Sequence, residues 1–180
     1  AKMKYTVAAG FAILGILAWL LPQQSGESPP VDGDAVAAVG VYQSTCATCH
    51  GDRGQGNREL SAPSIASLPR WYVKKQVDNF RAGLRGDHPD DLTGQQMRAA
   101  VLNLTETQID EALETLETFS VVNHEPTLMA DVKRGASLYR ENCMECHRFN
   151  GRGEIAFGSS HLAGLQDCYL LAQWNKFKIG

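Results

Sequence analysis

The spacing of apolar and polar positions along this chain changes character at residue 22. Residues 5–21 form an apolar run of 17 residues without a charge, preceded by Lys2 and Lys4. That length is at the short end of a membrane span, and no small-x-small cleavage site follows it. The run predicts an uncleaved anchor at residues 1–22, with a Ser, Gly and Pro linker at 23–33. Beyond the linker the apolar period is helical, and the class expected is all-α.

Residues 34–45 predict a helix with Asp34 as N-cap and Val36, Val39 and Tyr42 as its stripe. Residues 51–62 are a glycine-rich polar loop. Residues 70–82 predict a second helix, with Trp71, Val73, Val77 and Phe80 facing a core. Gly83, Gly86, Pro89 and Gly94 interrupt any regular pattern over residues 83–96. A further helix starts at Thr105, with Gln108 three positions on as capping-box partner. Its inner face is Ile109, Leu113, Leu116 and Phe119. Glu106, Asp110, Glu111, Glu114 and Glu117 crowd its outside, either as a solvated face or as a docking patch for a basic partner. Residues 120–130 connect, 131–142 predict another helix, 151–160 another loop, and 165–177 a last helix.

Two pentapeptides stand in this frame at matching places: Cys46-Ala47-Thr48-Cys49-His50 and Cys143-Met144-Glu145-Cys146-His147. Cys-x-x-Cys-His is the attachment pattern of haem c. Two cysteines one helical turn apart can form thioethers to the vinyl groups of one porphyrin, and the histidine then reaches the iron. A zinc site would need a second ligand pair nearby, and a thioredoxin-like dithiol a βαβ context; neither accompanies either copy. The cofactors expected are two covalent haem c groups, bound through Cys46, Cys49, Cys143 and Cys146, with His50 and His147 on the irons.

The motifs belong to an internal repeat. An offset of 97 residues carries Cys46 onto Cys143 and also relates Tyr42 to Tyr139, Gly54 to Gly151, and Gly56 to Gly153. Ala66, Leu68, Tyr72, Gln76, Phe80 and Gly83 recur in the same register as Ala163, Leu165, Tyr169, Gln173, Phe177 and Gly180. The period suits two small globular domains, not a solenoid. The domains expected are residues 34–120 and 131–180, with a connector at 121–130.

Composition changes the picture in three respects. The formal net charge of −3 makes no case for nucleic acid. Each domain is too small for a large apolar core, and a porphyrin would complete it. The lysines before the apolar run place it with the N-terminus in the cytoplasm. Residues 5–21 would then lie in the bilayer of a bacterial inner membrane, with the haem domains on the periplasmic side. Cys168, outside both motifs, reads as a small buried side chain.

Methionine opposite histidine raises a haem's potential. Met97, at an expected loop–helix junction, is assigned to the first iron. Met3 lies in the expected membrane segment at 1–22, Met129 in the connector, and Met144 inside a motif. The repeat would put the second methionine at position 194, beyond Gly180. The chain is therefore expected to continue past Gly180; the alternative is that another ligand or an open site completes the second iron. His161 is the substitute candidate, read first as a surface or propionate-contacting residue.

From residue 34 to 180 the chain resembles the di-haem cytochromes c of the cytochrome c4 type. The likeness rests on the paired motifs and on Tyr72-x3-Gln76-x3-Phe80-x2-Gly83-x-Arg85 ahead of Met97. It rests also on Leu162-Ala163-Gly164-Leu165 leading into Tyr169-x3-Gln173-x3-Phe177-x2-Gly180. The resemblance implies two class-I cytochrome c folds packed with their haems close, each iron held by His and Met. It implies electron delivery to periplasmic or membrane acceptors such as terminal oxidases. The N-terminal anchor and the missing second methionine depart from that pattern. The function expected is a membrane-tethered electron carrier between a quinol-oxidising complex or dehydrogenase and a terminal acceptor such as a haem-copper oxidase. The alternative is a peroxidase-like di-haem enzyme with one open iron, for which His161 and Glu154 are the acid–base residues on offer.

Overall fold

The structure, a computed structural model, describes residues 40–179. The expected anchor, the linker and the start of the first expected helix lie outside the described residues. Among the described residues no helix is long and apolar enough to cross a membrane.

A π-helical turn, Tyr42–Cys46, runs without a break into α1, Ala47–His50. The first haem motif is therefore inside a helix and not beyond its end. The helices α2 (Arg70–Arg81), α3 (Leu92–Val101) and α4 (Glu106–Glu117) complete the first domain. α4 begins as the sequence predicts: Thr105 Oγ1 accepts from the Gln108 N–H at 3.2 Å, and the Gln108 side chain accepts from the Thr105 N–H at 2.9 Å. Tyr42, Ala47, Val77, Phe80, Val101, Ile109, Ala112, Leu113 and Leu116 form its core. Phe119 meets Tyr42 edge-on, with ring centroids 5.0 Å apart.

Two expectations need correction, while the reading of the α4 acids as a solvated face stands, with Asp110, Glu117 and Glu106 52%, 52% and 61% exposed. Residues 83–96 are irregular only as far as Asp91, whose carboxylate accepts from the Gly94 N–H at 2.9 Å and starts α3. Met97 accordingly lies inside a helix, not at a loop–helix junction. Trp71 is not in the core; its ring packs edge-on to Tyr72, with centroids 5.6 Å apart. The acidic outside of α4 is largely engaged within the domain. Arg70 pairs with Asp110 (2.8 Å) and Glu117 (3.2 Å), Lys74 and Arg81 pair with Glu106, and Glu111 accepts from the Val41 N–H. These acids tie α4 to α2 and to the start of the motif helix.

The second domain repeats the frame with α5 (Val132–Asn142), capped by Asp131, then α6 (Met144–His147), a 3-10 turn at Ile155–Phe157, and α7 (Asp167–Ile179). Its apolar face is open. Phe80 is 7% exposed and Val77 7%, whereas their repeat partners Phe177 and Trp174 are 82% and 60% exposed. In the first domain α3 and α4 cover that face, and the described residues of the second hold no equivalent of either.

The two domains meet through polar side chains. Ser67 Oγ donates to the carbonyl of its own repeat partner Gly164 at 3.4 Å. Gln76 and Gln173, also repeat partners, both accept from Arg85. Gln166, 2% exposed, accepts from the Ser64 N–H at 2.8 Å, and Lys176 reaches Asp91 at 2.5 Å.

Candidate haem sites

Each motif is built on the last turns of a helix, so its two cysteines stand one turn apart on one face. Cys46 is half-buried and Cys49 exposed, and the second pair follows suit with Cys143 half-buried and Cys146 exposed. Burial first, then the neighbouring Cys49, pushes the Cys46 thiol up to about 11.

His50 is 6% exposed, and its Nδ1 lies 2.8 Å from the Pro63 carbonyl oxygen. A carbonyl only accepts, so Nδ1 carries the proton. Burial lowers the basicity of the ring and the Pro63 bond partly offsets it, which keeps the imidazole neutral. The Nε2 lone pair is thereby left for a metal, with the ring angle fixed by the carbonyl. In the second domain His147 Nδ1 lies 2.9 Å from the Ser160 carbonyl, at the repeat position of Pro63.

The surrounding frame is duplicated bond by bond. The Gly56 N–H donates to the His50 carbonyl at 2.7 Å, and the Gly153 N–H to that of His147 at 3.0 Å. Tyr42 Oη donates to Gly51 O at 2.8 Å, and Tyr139 Oη to Arg148 O at 2.6 Å. Position 51 has φ +80°, which suits glycine; Arg148 holds the same left-handed region at φ +64°.

Met97 is half-buried on α3 and packs, with Cys46, against the core that contains Tyr42 and Ala47. The structure thus brings Cys46 and Met97 to one core. His161 is half-buried, and burial with nearby Arg152 lowers its basicity. Cys168 is half-buried, not the fully buried side chain expected. The carbonyls of Pro63 and Ser160 were not among the expected site residues. Their signal was present in the repeat, since each lies 13 residues after its histidine. An imidazole fixed by a backbone carbonyl beside a cysteine pair, built twice, is the donor set a covalent haem c requires, and the residues present fit the group.

The comparisons agree with that geometry. Residues 33–102 match the family model of cytochrome c oxidase, cbb3-type, subunit III, and residues 132–179 match that of cytochrome c. The chain is a tandem of two cytochrome c domains, each with a covalent haem c, and such a pair carries electrons. It is 26% identical over 180 residues to the thiosulfate dehydrogenase electron acceptor of Stutzerimonas stutzeri, covering 93% of this chain and 79% of that protein. It is 25% identical over 132 residues to the cbb3-type cytochrome c oxidase subunit CcoP of Cereibacter sphaeroides, covering 70% of this chain and 43% of CcoP. The chain thus spans less than half the length of that subunit. Among solved structures, a thiosulfate dehydrogenase (TsdBA) from Marichromatium purpuratum matches with a TM-score of 0.57 and 30% identity, covering 71% of this chain and 28% of that one.

Proposed function

We propose that this protein is a two-haem relay whose domains span residues 34–120 and 131–180, joined by the connector at 121–130. Cys46 and Cys49 bind one haem and Cys143 and Cys146 the other. His50 and His147 ligate the irons, and Met97 completes the first. The observation that carries the reading is the repeated bond from histidine Nδ1 to a backbone carbonyl, 2.8 Å in one domain and 2.9 Å in the other. When bound, each haem takes up or releases one electron at its iron.

The chain's own residues set the conditions of that exchange. The Pro63 and Ser160 carbonyls fix the tautomer and orientation of each imidazole, and burial keeps that of His50 neutral. The Tyr42, Ala47 and Phe80 core excludes water from one side of the first site. Met97, a thioether, favours the reduced iron over the oxidised one.

The donor in this reading is a quinol-oxidising complex or a dehydrogenase, and the acceptor a terminal oxidase of the haem-copper kind. One relative is named as the electron acceptor of a thiosulfate dehydrogenase and another as an oxidase subunit, which supports both ends of the reading. The apolar run at 5–21 would tether the relay to the bacterial inner membrane, with both domains on the periplasmic side. The test is a redox titration of the haem-loaded protein followed by visible spectrum. Two one-electron waves and a pyridine haemochrome of two haem c per chain are expected. A single haem, or bound zinc in place of iron, would overturn the reading.

A further inference from the structure

Gln166 belongs to the second domain, yet its amide is engaged by the first. The side chain is 2% exposed, and its Oε1 accepts from the Ser64 N–H at 2.8 Å. Its Nε2 donates to the Gln55 carbonyl at 3.4 Å. Gly56 makes room for this contact, since a Cβ built there would overlap both Gln166 Nε2 and Ser64 N. Ser64 is itself fully buried. A buried amide with partners for both its oxygen and its nitrogen is held in one place.

The peptide that Gln166 reaches is the one that holds the first histidine. The Pro63 carbonyl and the Ser64 N–H are the two ends of one planar amide. The carbonyl accepts from His50 Nδ1 at 2.8 Å while the N–H donates to Gln166. Donation at the N–H end shifts electron density onto the carbonyl oxygen, so the two bonds strengthen one another. A stronger acceptor at Nδ1 makes the imidazole a more basic ligand through Nε2. The contact runs one way. Pro69 stands 97 residues before Gln166 and has no side-chain amide to offer the Ser160–His161 peptide in return.

This inference rests on the two-haem reading above: we propose that Gln166 is a positioning residue, supplied by the second domain, that lowers the reduction potential of the first haem through the Pro63–Ser64 peptide. Reduction of that iron takes one electron from the donor, and no covalent bond forms or breaks. A more basic imidazole favours the oxidised iron over the reduced one. The first potential therefore depends on the second domain being docked.

The test is a redox titration of the full haem-loaded chain in wild type, Gln166→Met, Gln166→Glu and Gly164→Ala. Methionine keeps the length of the side chain and offers only a weak acceptor. Gln166→Met is expected to raise the first reduction equilibrium constant about threefold, or about 28 mV in one wave, with the other wave unmoved. In nuclear magnetic resonance spectra of the same samples, the Nδ1 proton of His50 should shift and that of His147 should hold. Gly164→Ala crowds the same seam without touching the bond. Water entering a loosened seam favours the oxidised iron, so this control should not raise the wave. Gln166→Glu retains an acceptor of equal reach, strengthened by its charge, and should lower the wave that methionine raises. It decides the question if Gln166→Met fails to fold. A fall in Gln166→Met, unmoved waves in the Gln166 variants, or both waves moving together would each overturn the proposal. A wild type with two waves beside unmoved variants would remove the role of Gln166 and leave the two-haem reading standing. A wild type without two waves would overturn both.

Discussion

Ser67 and Gly164, 97 residues apart in sequence and equivalent in the repeat, hydrogen-bond to each other across the seam between the domains. The approach is close. Gly164 adopts φ +80°, and a Cβ built on it would lie 2.9 Å from the Ser67 Cβ. The backbone here has no room for a side chain on either ground.

Gly164→Ala should therefore loosen the domain interface. The expected cost is about 1–3 kcal/mol, from the left-handed backbone and the crowding of Ser67 together. Denaturant unfolding of the haem-loaded protein would measure it, and a change under 0.5 kcal/mol would contradict the close packing described.

Met97→His tests the axial assignment. Histidine in place of methionine lowers a haem's potential. The wave of the first haem should fall and that of the second remain in place, as read by potentiometric titration. If neither wave moves, Met97 is a core methionine and not a ligand.

Thr105→Ala removes the side chain that caps α4 and breaks the capping box with Gln108. The expected loss is about 1 kcal/mol. Thr105→Ser should recover most of it in the same unfolding assay, since the hydroxyl is retained.

Asp91 links pH to the interface. Burial raises its pKa, but Lys176, the Gly94 N–H and Thr93 outweigh burial and hold it below its usual 3.8. A depressed carboxylate contributes stability above its unfolded pKa and loses it as pH falls through the folded value. Asp91→Asn keeps the cap on α3 and loses the ion pair. Wild type should be the more stable at pH 7, and the gap should close as pH falls below 3.8 and through the depressed folded value. A gap independent of pH would rule out the ion pair as its source.

The sequence made some elements plain and hid others. α4 was legible because Thr105, Gln108 and the Ile109, Leu113, Leu116 stripe all agree on one helix. α3 was hidden by Gly94, which looks like a breaker but supplies the N–H that Asp91 caps. The haem motifs and their histidines could be read directly, because chemistry fixes their spacing. The carbonyls that orient them could not, since a backbone acceptor leaves no residue type behind. The interface was the least legible part. No pattern in the sequence marks Gln166, Ser64, Ser67 or Arg85 as interface residues, and only the fold shows that they reach partners in the other repeat.

The carbonyl that holds each histidine comes from Pro63 in one domain and Ser160 in the other, and the following turns differ as Gly51 and Arg148 do. Two identical subunits meeting on an axis cannot make such distinctions, because any change at one site appears at both. Joining the halves in one polypeptide frees each to diverge while the shared seam keeps them in register. The pair can then acquire a gradient, with one end suited to receiving and the other to giving.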